Sequence, residues 1–138
     1  MKNLRVIAKD ADDAPLIASA IQDAILRVGG LHYDPMGRYF SLRLSRYMHE
    51  AKKPARIESG LRIDDVLSVQ SHGLDRANPD AFAVVLNVEF EAGAAPGGTL
   101  ILTLAGGGAI KLSVEAVEMI LADTGKPRPT KFIPSHDG

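Results

Sequence analysis

Four histidines, His32, His49, His72 and His136, are the side chains best suited to moving a proton or ligating a metal near neutral pH, and they are scattered along the chain. No two stand four residues apart, the spacing that places two ligands on one helix face, so a metal centre is not expected and would have to be assembled by tertiary convergence. The residues to test for a shared pocket are His32, His72, His136 and Asp75. Ser135-His136-Asp137 contains the residue types of a hydrolase triad, but neighbours in an extended chain point in different directions and cannot form a relay. No Gly-x-Ser-x-Gly elbow is present to expose a serine nucleophile. Asp10, Asp12 and Asp13 begin like a calcium loop, yet Ala14 and Pro15 stand where that loop needs an oxygen ligand and a glycine. Gly106-Gly107-Gly108 has amides that could cradle a phosphate, but no Lys-Ser/Thr and no helix start follow, so a turn between strands is the better reading. The chain has no cysteine, which excludes disulfides, thiolate metal sites and thiol nucleophiles from it. No catalytic residue and no cofactor is therefore assigned.

Charge is the more informative pattern. Between positions 38 and 62 stand Arg38, Arg43, Arg46, Lys52, Lys53, Arg56 and Arg62 against Glu50 and Glu58, a local surplus of five positive charges in a chain whose formal net charge is -1. Arg43 alternates with Leu42 and Leu44, and Arg56 and Arg62 alternate with Ile57 and Leu61. If their strands are adjacent, these arginines share an outer face, with Tyr39 and Tyr47 on the side of Arg43. Arg38, Arg43, Arg46, Arg56 and Arg62 are thus the candidate residues for binding a partner or an anion. A pI near 6.4 excludes a globally basic nucleic-acid binder, and stacking aromatics are few, so nucleic acid is not the expected partner. The expected partner is an acidic protein surface or a second copy of the chain; a solvated sheet face that only maintains solubility is the competing reading.

The elements that hold these residues read mostly as strands. Residues 4–9 form a short apolar run, a strand lying beside the main sheet. Asp10 and the acids after it, with Pro15, start a helix over residues 13–24 whose stripe is Leu16, Ile17, Ala20, Ile21 and Ala24. Residues 25–33 can be a helix extension or a strand. Asp34-Pro35-Met36-Gly37 has the chemistry of a hairpin turn, with Gly37 as the left-handed residue, so a strand is expected there, paired with residues 38–47. Further strands are expected over 56–63 and 66–69, with a turn or bulge at Asp64-Asp65, and over 81–91, with Val84, Leu86, Val88 and Phe90 on one face. A hairpin over residues 99–114 follows, turning at residues 105–109. From there the spacing of Val114, Val117, Ile120 and Leu121 predicts a helix over residues 115–123, stopped by Gly125 and Pro127.

About seven consecutive strands closed by a helix define an α+β domain, a mainly antiparallel bent barrel or sandwich with an N-terminal strand and helix added. That order is similar to the pleckstrin-homology-like superfold, in which a C-terminal helix caps one open end of the barrel. With 138 residues, 46% of them hydrophobic, one globular domain is expected over residues 1–125, followed by an extended tail over 126–138. No apolar run approaches a membrane span, and residues 1–10 do not read as a signal peptide, so the cytoplasm is the expected location and a membrane is not an expected partner. The stretches Gln22-Asp23-Ala24, Arg38-Tyr39-Phe40, Ala95-Pro96-Gly97-Gly98-Thr99, Ala105-Gly106-Gly107-Gly108-Ala109-Ile110 and Pro134-Ser135-His136-Asp137 together resemble a family of small bacterial proteins known only as a domain of unknown function. The resemblance spans nearly the whole chain and implies a bacterial, stand-alone cytoplasmic domain, with no catalytic residue carried over. The functional expectation is a non-catalytic binding or protein–protein interaction module. The alternatives are a small-molecule-binding protein or enzyme built from scattered His and Asp residues, and a weak binder of single-stranded nucleic acid.

Overall fold

The computed structural model of the chain describes residues 3–134. Strand β1 (Arg5–Ala8) leads through a 3-10 turn (Ala11–Asp13) into the single α-helix among these residues, α1 (Ala14–Ile21). The remaining strands are β2 (Ile25–Asp34), β3 (Tyr39–Tyr47), β4 (Ala55–Ile63), β5 (Val66–His72), β6 (Phe82–Ala92), β7 (Gly98–Leu104), β8 (Ala109–Val114), β9 (Met119–Asp123) and β10 (Arg128–Pro129). They form one antiparallel sheet in the order β1-β9-β4-β3-β2-β6-β7-β8-β5, with β10 added beside β4. The sheet is open, ending at β1 and β5.

The sheet folds over on itself because both of its arms have an apolar inner face. Phe40, Leu42 and Leu44 of β3 and Leu61 and Ile63 of β4 share one buried cluster with Leu100, Leu102 and Leu104 of β7 and Ile110 and Leu112 of β8. Two arms with alternating apolar residues remove most water by facing each other. The fold line is the short β2–β6 pairing, where Ile25, Leu26 and Arg27 meet Val84, Ala83 and Phe82. The chain crosses between the arms at Asp64-Asp65, where Asp65 takes a left-handed φ of 57° and its carbonyl accepts from the Glu115 amide at 2.9 Å. Helix α1 contributes Ala14, Ile17 and Ile21 to the cluster and packs against β1, β3 and β6. The Asp10 side chain accepts from the Asp13 amide at the start of this segment, and left-handed Asp23 (φ 70°) ends it, its amide donating to the Val85 carbonyl at 2.9 Å.

Strands β2 to β8 stand where strands were expected, and the region over residues 25–33 is strand. Three local expectations are corrected. At the first hairpin the Asp34 carboxylate accepts from the amides of Met36 and Gly37, as its turn chemistry implies, but the left-handed residue is Arg38 (φ 56°) and not Gly37. In β6 the register slips between Val85 and Asn87, so Val85 and Val88 enter the core while Leu86 is 40% exposed. The largest correction concerns residues 115–123: the expected capping helix is absent, and Met119–Asp123 is strand β9, hydrogen-bonded between β1 and β4. Val117 and Leu121 fit a helical stripe and an alternating strand equally well; Met119, 1% exposed, belongs only to the alternation. The β4 edge decides between them, because Ser59 to Ile63 would otherwise present unpaired backbone groups. Without that helix and with an open sheet, the antiparallel architecture stands but the closed, C-terminally capped barrel does not. Part of the expected tail is docked, since Arg128 and Pro129 pair with Arg56 and Ala55; Ser135-His136-Asp137 lies outside the described residues.

Because Leu121 is fully buried in β9, Leu121→Ala is expected to lower unfolding free energy by ~2–5 kcal/mol in denaturant melts. A change of less than ~0.5 kcal/mol would show that β9 is not packed in the core.

Candidate functional site

The outer face of the arm formed by β1, β9, β4, β3 and β2 carries the basic residues. Register places Arg5, Ala122, Gly60 and Arg43 in one row across four strands, and Ile7, Ile120, Arg62, Ser41 and His32 in the next. Side chains directly opposite one another on adjacent strands emerge from the same face. Gly60 and Ala122 leave the middle of the first row low, and a side chain added at Gly60 would meet no atom within 4 Å of its Cβ. The result is a groove of about 620 Å³ with Arg43 and Arg62 on either side of Gly60 and with Ser41, His32 and Ile120 along it.

The two guanidinium groups differ in how they are held. Arg62 lies over the Tyr39 ring, 4.0 Å from its centroid, and its Nε donates to Asp64 at 3.0 Å, which leaves both terminal nitrogens free of protein hydrogen bonds among the described residues. Stacking and one tether orient the planar group without using the fork that recognises a carboxylate. Arg43 is exposed and has no side-chain hydrogen bond or ion pair among the described residues. Arg27 on β2 and Arg128 on β10 extend the same face, against Glu58, which Arg128 engages at 3.0 Å. Arg5, Arg27 and Arg128 lie outside the basic stretch read from the sequence. Only the register reveals that they join it.

The other three candidate arginines do not join the groove. Arg38 sits at the β2–β3 turn and is paired with Glu115 at 2.6 Å, an ion pair that raises its pKa. Arg46 points inward with Leu44 and is 1% exposed. Its Nε and Nη2 donate to Asp123 at 3.0 and 2.9 Å, and its Nη1 and Nη2 donate to Glu50 at 3.0 and 2.9 Å. Asp123 in turn accepts from the Ser59 hydroxyl at 2.7 Å and the Leu4 amide at 2.7 Å. Burial opposes charging at both members, but the hydrogen bonds prevail: the Arg46 pKa is raised, the Asp123 pKa is held below the ordinary carboxylate range, and the Arg46 fork likewise lowers that of Glu50. Arg56 belongs by alternation to the outer face, yet it is 6% exposed. Its Nη1 donates to the carbonyls of Ser45 and Asp23 at 2.8 and 3.2 Å, its guanidinium stacks near Tyr47 and Phe132, and its Nη2 has no partner among the described residues. Burial lowers its pKa, opposed by the nearby Asp23.

A family model described as a protein of unknown function (DUF2948) matches residues 4–136. The chain belongs to this family. No curated protein and no solved structure matches it. Family membership therefore assigns no activity, and the site in this DUF2948 member rests on its geometry.

The histidines are dispersed over this fold. His32 is tilted against Tyr39 in the outer groove, and it also borders a separate cleft between β2 and β5; His72 and Asp75 do not line that cleft. His49 donates through Nε2 to the Gln22 carbonyl at 2.9 Å and stands 3.8 Å from the Asp23 carboxylate. His136 lies outside the described residues. Among the described residues no cluster of three or more His, Asp or Glu could hold a metal, and no helix is long and apolar enough to cross a membrane. The triglycine makes the β7–β8 turn, Gly106 and Gly107 taking left-handed φ values of 87° and 95°.

Arg46→Met would strand a carboxylate whose side chain is 1% exposed, and a loss of ~3–5 kcal/mol in urea unfolding is expected. Because the folded Asp123 pKa is depressed, its contribution is present above the unfolded value and is lost as pH falls through the folded one. The stability gap between wild type and Asp123→Asn should therefore narrow below about pH 4. A constant gap from pH 7 to about pH 2 would show that the carboxylate charge does not matter.

Proposed function

We propose that this protein is a non-catalytic binding domain that docks an acidic segment of a partner protein in the outer groove of the β3–β4 face. The observation that carries this reading is the pair of guanidinium groups, Arg43 and Arg62, flanking the empty floor at Gly60. Their unengaged terminal nitrogens suit partner carboxylates, and Arg5 and Arg27 supply a wider positive field that would steer an acidic partner toward the groove, Arg128 being balanced by Glu58. The floor admits an extended backbone or a small side chain, while Ile120 and Tyr39 provide apolar contact beside the charges. The bent antiparallel sheet with a helix against it supports a likeness to pleckstrin-homology-like modules in layout, with the helix at the N-terminal end of the chain. Exposed Glu89 and Glu91 on β6 supply a contrasting acidic surface, which makes a second copy of the chain the competing partner.

The test is fluorescence anisotropy with a labelled oligoglutamate peptide of about ten residues, at low salt and at an ionic strength where screening acts over ~8 Å. Arg43→Glu/Arg62→Glu should weaken binding at least about tenfold with little change in melting temperature, since exposed charges contribute little to stability. Gly60→Leu, which fills the floor and removes no charge, should weaken it too. Retention of a labelled single-stranded oligonucleotide by the wild type alone would transfer the face to nucleic acid, and loss of a dimer on charge reversal would transfer it to self-association. Unchanged binding by both variants would leave the face as solvated surface.

A further inference from the structure

A second site lies on the opposite side of the same strands, at the seam the open sheet leaves. After Arg27, β2 parts from β6; the Val28 amide donates to the Ala81 carbonyl and the Gly29 amide to the Pro79 carbonyl, both at 2.9 Å. From Leu31 to Asp34, β2 pairs only with β3. Strand β5, last in the sheet, pairs only with β8. These two unpaired edges face each other. At one end the Tyr33 hydroxyl donates to the Leu67 carbonyl at 3.2 Å and the Val66 amide to the Arg38 carbonyl at 2.9 Å. At the other, the loop leaving β5 returns to β2 at Val28 and Gly29. Between them is a cleft of about 670 Å³ over Leu31, Phe40, Val69 and Ile110, with Ser71 and Arg76 also bordering it.

We infer that this cleft is a slot for one extended peptide strand, supplied by a partner segment with alternating apolar side chains and an acidic residue at the end that meets Arg76. A strand there would satisfy backbone donors and acceptors on two edges at once, a gain that an edge strand facing solvent cannot offer. β2 and β5 run in opposite directions along the cleft, so the guest is antiparallel to one and parallel to the other. Alternate guest side chains face the apolar floor of Leu31, Phe40, Val69 and Ile110. The Arg76 guanidinium has no hydrogen bond or ion pair among the described residues, so it is available to an acidic end group. This site uses neither Arg43 nor Arg62 of the outer groove, although His32 borders both.

The probe is a labelled octapeptide of alternating valine and threonine ending in glutamate, compared with the same peptide N-methylated at alternate amides. The wild type should bind the first at least about tenfold more tightly than the second, and amide exchange of residues 31–34 and 67–71 should slow on binding. Ser71→Trp, placed to fill the slot from an exposed position, and Arg76→Glu should each weaken binding, whereas Arg43→Glu/Arg62→Glu should not. Equal affinity for the N-methylated peptide would overturn the inference, since it would show apolar adhesion without a backbone ladder. So would no binding at about 1 mM peptide, or octanoate perturbing these amides where the peptide does not, which would make the cleft a pocket for small amphiphiles.

Discussion

A guanidinium enclosed by protein destabilises its surroundings by several kcal/mol unless carboxylates and hydrogen bonds meet it, and Arg46 is enclosed to 1% exposure. It is met by two carboxylates, one from the turn after β3 and one from the end of β9. Asp123 also takes the Ser59 hydroxyl of β4 and the amide of Leu4 just before β1. Three strands and the residue leading into β1 therefore converge on a single carboxylate. A purely apolar arrangement could bury as much surface without specifying which strand lies beside β4, whereas an ion pair with this many defined directions tolerates few registers.

That register has a consequence on the other side of the same arm. With Asp123 inward, Ala122 and Ile120 point outward and stand opposite Gly60 and Arg62. The inward ion pair and the outward groove are thus two faces of one alternation. A slip of one residue in β9 would expose Asp123, bury Ala122 against the core and replace the low floor of the groove with a carboxylate. The positive groove and the peptide slot lie on opposite faces of the β2–β3 hairpin, and His32 borders both.

Much of the strand succession was legible because period-2 alternation is a local signal: Phe40, Leu42 and Leu44 announce β3, and Leu100, Leu102 and Leu104 announce β7. The candidate site was legible in part. Alternation put Arg43 and Arg62 outward without knowledge of their neighbours, but it also put Arg46 inward, a position that charge counting along the stretch overlooked. Nothing local distinguishes a buried Arg with two distant acids from an exposed one. Arg5 and Arg128 escaped notice because they come from the two ends of the chain and reach this face only through β9 and β4.

By itself the sequence determined which residues alternate, where Asp34, the triglycine and Asp10 start turns or caps, and that the chain carries no thiol chemistry and no ready-made catalytic motif. Only the tertiary structure decided whether residues 119–123 coil or extend. A segment holding Val117, Met119, Ile120 and Leu121 satisfies both periods, and the free energy that separates them resides in the unpaired β4 edge and in the buried Arg46 guanidinium, contacts 56 to 77 residues away in the chain. Long-range pairing overrides local spacing whenever a segment is this ambiguous, because backbone groups left unpaired at a buried edge cost more than helix propensity returns.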